Sequence, residues 1–140
     1  MEEFYMKETN VKRVYDYLDN AGIYYLATDE NGQPRVRPFG TVLLFDGKIY
    51  ILTAKSKNVS RQIDSNPKFE ISAMLNNNEW IRISGNLVED NRSEVQIEML
   101  EKYPHLKNSY QVLNPNTNTL YMDNIKATVY SFDKKPEELE

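Results

Sequence analysis

The chain has 140 residues, of which 40% are hydrophobic and 27% are charged, and its formal net charge is −4. This composition is typical of one folded domain, to which we assign residues 1–140. The sequence contains no cysteine, which excludes disulfides and cysteine–metal sites, and a single histidine, His105, cannot form a multi-histidine metal site. The negative charge argues against a nucleic-acid partner. No apolar run reaches membrane-spanning length and no signal peptide is evident, so we expect a cytoplasmic protein without a membrane partner.

The first part of the chain predicts a helix followed by a β-hairpin. Residues 10–20 carry apolar side chains at helical spacing. Residues 23–28 are rich in β-branched and aromatic types and predict a strand, and Asn31-Gly32 is typical of a tight turn. A second strand is expected over residues 36–45.

Pro38 lies inside this second strand and cannot donate a ladder hydrogen bond. The strand must therefore be an edge, a bulge or a bend at that point. Such a strand exposes backbone N–H and C=O groups, which can meet either solvent or the polar edge of a flat ligand.

A cationic loop follows the next hairpin. Asp46-Gly47 predicts the turn, and residues 48–53 predict the third strand. A short helix is predicted over residues 57–65, and four polar residues come together where it begins: Lys55, Ser56, Lys57 and Asn58. We expect Ser56 to cap this helix. Two lysines beside a helix N-terminus suit a phosphate, and the alternative is a solvated turn with surface lysines.

The second half predicts three further strands and a helix. Strands are expected over residues 69–75, 79–89 and 126–132, a turn over residues 76–78, and a helix over residues 92–103. In the fifth strand, Trp80 and Arg82 share one face, and Gly85 marks a bend. The charged tail, residues 133–140, could fray. Six strands joined mostly by hairpins, with three helices, predict a mainly β protein built on a small antiparallel barrel.

The order and spacing of several motifs resemble one known family. The motifs are the run from Asn31 to Pro38, the strand ending at Thr53, Ser56-Lys57-Asn58 with Gln62-Ile63 downstream, and the strand from Trp80 to Asn86. Together they resemble the pyridoxamine 5'-phosphate oxidase-like proteins, which are FMN-binding split barrels. The resemblance covers residues 11–132, and the short chain is most similar to the general-stress and nitroimidazole-resistance branches.

The resemblance implies a six-stranded split barrel that forms a homodimer with FMN at the subunit interface. The implied cofactor-binding residues fall into three groups. Arg37, Pro38 and Phe39 would line the isoalloxazine ring. Thr53, Lys57 and Asn58 would hold the phosphate, with Lys55 and Ser56 nearby. Gln62 would face the ring or the ribityl chain, and Trp80 and Arg82 would come from the fifth strand, across the dimer interface.

The resemblance also implies a function, with alternatives left open. The first hypothesis is an FMN-dependent oxidoreductase that passes electrons from a nicotinamide or another donor to a nitroaromatic or quinone-like acceptor. No residue demands the role of catalytic acid or base. The second is a non-catalytic module that stores or senses flavin, or binds haem, and the third is a barrel for single-stranded nucleic acid. The C-terminal arginine- and histidine-rich segment of true pyridoxamine 5'-phosphate oxidases has no match here, so we do not expect that activity.

Overall fold

The computed structural model describes residues 5–76 and 78–140, and Asn77 of the predicted turn lies outside them. Within the described residues it contains eight strands, three α-helices and one 3-10 helix. In chain order these are α1 (Glu8–Ala21), β1 (Tyr24–Glu30), β2 (Gln33–Phe39), β3 (Leu43–Phe45), β4 (Lys48–Ala54), α2 (Asn58–Ser65), β5 (Lys68–Met74), β6 (Glu79–Glu89), α3 (Ser93–Lys102), the 3-10 helix (Pro104–Asn108), β7 (Thr117–Ser131) and β8 (Glu137–Leu139). Among these helices, none combines the length and apolar character that a membrane span requires.

The strands form one antiparallel sheet in the order β2-β1-β5-β6-β7-β4-β3, with β8 paired to β7. Every described pairing is antiparallel. The two ends of this order, β2 and β3, are consecutive in the chain but do not pair with each other. The sheet is therefore an open, split barrel, which confirms the predicted mainly β class.

The strand number differs from the predicted six for two reasons. The expected second strand over residues 36–45 is two strands, because β2 stays paired with β1 until Phe39 while β3 pairs with β4 at the opposite edge of the sheet. In addition, the tail that was expected to fray contains β8. Leu139 of β8 is 3% exposed and packs in the core, and this burial holds the tail against β7.

The core lies on the inner face of the sheet, where period-two alternation places aliphatic side chains. Leu26, Ile71, Ile81 and Ile83 are fully buried there. Ile81 and Ile83 alternate along the strand with Trp80 and Arg82, which the sequence placed together on one face. Burial of each such side chain stabilises the fold by about 1.5–3 kcal/mol. Leu18 and its neighbours on the apolar face of α1 cover one part of this cluster.

The two predicted hairpin turns are confirmed by their backbone angles. Asn31 and Gly32 have φ of 52° and 91°, and Asp46 and Gly47 have φ of 50° and 72°. Two consecutive positive φ values define the type I′ turn that matches the twist of paired strands. The Asn31-Gly32 turn fixes Glu30 opposite Gln33, and hence the register of β1 with β2.

Pro38 sits on an edge strand, which resolves the alternatives left by the sequence. The register of β2 with β1 runs without interruption from Gln33 to Phe39, so β2 contains no bulge. In this register Pro34, Val36 and Pro38 occupy the positions whose backbone groups point away from β1. The two prolines therefore cost no ladder hydrogen bond, and they leave carbonyl groups at the open edge.

Candidate functional site

Arg37 is the centre of a polar cluster that joins three elements. Its Nη1 donates to Thr28 Oγ1 of β1 at 2.7 Å, and its Nη2 donates to Gln62 Oε1 of α2 at 2.6 Å. Thr28 Oγ1 also donates to Gln62 Oε1 at 2.5 Å. Gln62 and Thr28 are each 5% exposed. The sequence indicated Arg37 and Gln62 but not Thr28, which carries no signal beyond its place in a strand.

The charge of Arg37 is not balanced by a carboxylate. Burial lowers the pKa of its guanidinium below the ordinary arginine value. The nearby carboxylate of Glu30 pairs instead with Arg35 at 2.9 Å and accepts from Gln62 Nε2 at 3.2 Å. Among the described residues, Arg37 has neutral hydrogen-bond acceptors and no ion-pair partner. A half-buried cation in this setting favours an anionic group beside it.

The predicted cationic loop connects β4 to α2, but Ser56 does not cap the helix. The N-cap residue is Lys57, and no side chain caps α2. Ser56 lies one residue too early, and its N–H donates to Asn116 Oδ1 at 2.9 Å. In the described part of the chain, the N–H groups of Asn58 and Val59 at the start of α2 have no hydrogen-bond partner. Such groups are the ones that bind anions at helix N-termini.

Three cationic side chains surround this helix start. Lys55 Nζ lies 3.9 Å from Glu89 Oε2, and Lys57 Nζ donates to Tyr110 Oη at 3.3 Å. Arg61 was missed in the sequence, because it lies one helical turn beyond the loop. Its Nη1 donates to Ser56 O at 3.0 Å, and its Nη2 donates to the side chain of Asn58. The loop therefore carries more positive charge than its two lysines alone.

Thr53, the residue that precedes this loop on the inner face of β4, is 2% exposed. Its Oγ1 has no hydrogen-bond partner among the described residues. The residue opposite it, Asn118, is satisfied, since its Nδ2 donates to Ser60 Oγ at 3.1 Å and to Glu89 Oε1 at 3.2 Å. A buried hydroxyl without a partner is costly, and it is the kind of group that a bound ligand can satisfy.

Helix α2 brings the loop and the Arg37 cluster to one side of the sheet. Gln62 lies four residues after Asn58, which corresponds to about 6 Å of helix rise. One short helix thus presents free N–H groups at its start and a polar side chain bonded to Arg37 one turn later. Phe39 lies on the same inner side as Arg37, with its ring 6.1 Å from that of Tyr24.

Trp80 and Arg82 lie elsewhere in the single chain. They occupy the outer face of β6. Strands β1 and β5 lie between β6 and β2, so β6 is about 14 Å from β2 at the usual strand spacing. The Trp80 ring packs against Tyr130 at 5.6 Å and Phe132 at 5.0 Å. Arg82 forms an ion pair with Glu70 at 3.0 Å. One chain alone therefore does not bring this pair to the Arg37 cluster, and Pro38 also faces the outer side.

Solved structures show which class of protein has this fold. A haem-binding protein from Mycobacterium smegmatis matches with a TM-score of 0.72 at 11% identity, covering 96% of this chain and 58% of that chain. A pyridoxamine 5'-phosphate oxidase-related, FMN-binding protein from Nostoc punctiforme matches with a TM-score of 0.59 at 16% identity, covering 94% of each chain. The fold is that of the pyridoxamine 5'-phosphate oxidase-like split barrels, as the sequence motifs predicted.

A third match defines the family within this class. A NimC/NimA family protein from Clostridium acetobutylicum is 40% identical, covers 96% of this chain and 94% of that chain, and superimposes with a TM-score of 0.90. The chain belongs to the NimC/NimA family. Searches against family models and against curated proteins found no match.

Proposed function

We propose that this protein binds FMN between two copies of the chain and acts as a flavin-dependent oxidoreductase. The observation that carries the proposal is the arrangement along α2. Lys55 and Lys57 lie beside the unpartnered N–H groups at the start of the helix, and Gln62 contacts the half-buried Arg37 one turn later. A ligand with a phosphate at one end and a polar, flat ring at the other matches this arrangement.

The phosphate end would be held by the loop. Lys57, Lys55 and the N–H groups of Asn58 and Val59 supply charge and donors that suit a phosphate dianion. The unpartnered hydroxyl of Thr53 lies two residues before Lys55 and would gain a partner from a bound phosphate. The hydroxyl supports a phosphorylated cofactor over a solvated turn, because water can satisfy exposed N–H groups at a helix start but does not reach a buried hydroxyl.

The ring end would lie at the open edge of β2. Arg37 and Phe39 face the inner side, and the carbonyl groups of Pro34, Val36 and Pro38 point outward from the edge. Bound FMN supplies hydride- and electron-transfer chemistry. Arg37 would stabilise negative charge that develops on a ring next to it, since its other partners are neutral.

A second copy of the chain would complete the site. Large apolar side chains are exposed on the outer face of β5, β6 and β7, where Met74 is 63% exposed beside Trp80 and Tyr130. Phe132, which directly follows β7 and packs against Trp80, is 80% exposed. Apolar patches of this kind are typical of subunit interfaces. Dimerisation through this face is the way in which Trp80 and Arg82 would reach the flavin of the partner.

Electrons would come from a nicotinamide or another reductant and leave to a small nitroaromatic or quinone-like acceptor. The alternative is a flavin-binding protein that stores or senses FMN without turnover. The side chains that contact Arg37 agree with this alternative. Thr28 carries a hydroxyl and Gln62 an amide, and neither group is an acid or a base that would transfer a proton during turnover.

The visible absorption spectrum of the purified protein tests the binding proposal. After incubation with FMN and desalting, we expect about one flavin per subunit to remain. Riboflavin, which has the same ring without the phosphate, is the matched control and should be retained less well. A protein that holds neither flavin contradicts the proposal. Oxidation of a nicotinamide donor with an added nitroaromatic or quinone then separates the oxidoreductase from the storage protein.

A further inference from the structure

The cationic loop is not held in place by its own residues alone. As α2 lacks a side-chain cap, the loop relies on contacts from the connection between the 3-10 helix and β7. Asn116 provides two of these contacts, because its backbone O accepts from Lys55 N at 2.8 Å and its Oδ1 accepts from Ser56 N at 2.9 Å. Asn116 and Ser56 are 60 residues apart in the chain.

Asn116 is itself fixed by the turn around it. Its N–H donates to Asn114 Oδ1 at 2.9 Å, and Thr117 N donates to Asn114 O at 2.9 Å. Thr117 Oγ1 donates to Gln111 O at 2.8 Å. The two acceptors of Asn116 are thus presented by a turn whose own polar groups are paired, which limits the movement of the loop.

The same connection also contacts the lysine at the N-cap of α2. Tyr110 Oη accepts from Lys57 Nζ at 3.3 Å, and Tyr110 N donates to Leu106 O at 2.9 Å. A lysine side chain in solvent has many rotamers, and a contact that restricts them lowers the entropic cost of binding.

We propose that Asn116 and Tyr110 are positioning residues that hold the cationic loop ready for a phosphomonoester. Asn116 accepts hydrogen bonds from the N–H groups of Lys55 and Ser56 and thereby fixes the backbone of the loop. The N–H groups of Asn58 and Val59 then remain available to the anion. Tyr110 holds the Lys57 ammonium near them. This inference rests on the proposed FMN function, and neither residue needs to touch the flavin.

The test compares the affinities of two flavins that differ in the phosphate. Asn116→Ala should weaken FMN binding about fivefold, the effect of one lost hydrogen bond, and leave riboflavin binding unchanged. An unchanged riboflavin affinity also shows that the variant is folded. Asn108→Ala is the matched control, as Asn108 ends the 3-10 helix just before this connection and has no contact to the loop among the described residues, and it should change neither affinity.

Two further variants separate positioning from a general structural role. Asn116→Asp keeps the Oδ1 acceptor but adds a negative charge near the phosphate, so its loss of FMN affinity should shrink as ionic strength rises, unlike that of Asn116→Ala. Tyr110→Phe should weaken FMN binding in the natural chain but have no further effect in a Lys57→Ala background, since both changes remove the same contact.

The outcomes distinguish this inference from the function on which it rests. Equal losses for FMN and riboflavin in Asn116→Ala, or no loss for FMN, overturn the positioning role while the FMN proposal stands. A natural chain that binds neither flavin overturns the proposed function itself.

Discussion

Arg37 Nη2 lies 2.6 Å from Gln62 Oε1, and this contact ties the edge strand β2 to helix α2. Each residue has a second bond that fixes its orientation, since Arg37 Nη1 donates to Thr28 and Gln62 Nε2 donates to Glu30. The open edge of the sheet and the start of α2 are therefore held in a fixed relation. That relation allows a single ligand to contact both.

Replacing Arg37 tests whether its charge lies beside the flavin ring. Arg37→Gln keeps hydrogen-bonding capacity but removes the cation, so we expect the two-electron potential of bound FMN to fall by about 30 mV, which corresponds to about 1.4 kcal/mol. Arg35→Gln is the control, because Arg35 is exposed on the same strand and pairs with Glu30. Equal potentials for Arg37→Gln and the natural chain would place the ring elsewhere.

Replacing Lys57 tests the phosphate assignment. Lys57→Ala removes a cation from the start of α2, and we expect FMN affinity to fall about tenfold because a charge-assisted hydrogen bond is lost. Riboflavin affinity should not change. Lys107→Ala, which removes an exposed lysine from the 3-10 helix, is the control. Fluorescence titration measures both dissociation constants, and unchanged FMN binding in Lys57→Ala would remove this residue from the site.

Replacing Trp80 tests the proposed subunit interface. Trp80→Ala removes the ring that packs between Tyr130 and Phe132 on the outer face, and we expect the dimer to dissociate about tenfold more readily. Sedimentation at several protein concentrations measures this change. Ile97→Ala, which truncates an apolar side chain of α3 that is 43% exposed, serves as the control. A Trp80→Ala protein that remains dimeric and retains FMN would show that the interface is elsewhere.

Replacing Gly85 tests how tightly the backbone packs at the register shift in β6. The register of β6 with β7 shifts between Ser84 and Asn86, and a Cβ at Gly85 would lie 2.5 Å from Asp123 O. Because the clash is with backbone, Gly85→Ala should lower the free energy of unfolding by about 2–3 kcal/mol. Gly40→Ala is the control, as its Cβ would lie 3.4 Å from Ile23 Cδ1. Urea unfolding measures both, and equal stabilities would mean that the bulge adjusts freely.

Local sequence was enough to predict the elements whose structure depends on neighbouring residues. Asn31-Gly32 and Asp46-Gly47 form the turns that their tolerance of positive φ predicts. The buried alternation of Ile81 and Ile83 follows from the two-residue period of a strand. The order and spacing of the motifs can also be compared from the sequence alone, and they supported the family resemblance.

The sequence did not predict that α2 begins without a side-chain cap. Ser56 has a residue type and position suited to capping, but its N–H is bonded to Asn116 and the helix begins without a side-chain cap. The bond to Asn116 is made by the backbone N–H of Ser56, and local propensity cannot predict an acceptor that lies 60 residues away in the chain. The second predicted strand is split for a similar reason. Its last residues form β3, which pairs with β4 instead of continuing along β1, and local sequence does not specify that partner.

By itself, the sequence determined the turns, the alternation of the strands, the cationic loop and the edge or distortion required by Pro38. Only the tertiary structure decided that Pro38 lies on an edge strand, that Arg37 meets Gln62 and that Asn116 holds the loop. The reason is physical. A turn or a strand face is fixed by interactions within a few residues, whereas these contacts join residues 25 and 60 positions apart and exist only after the sheet has brought its strands together.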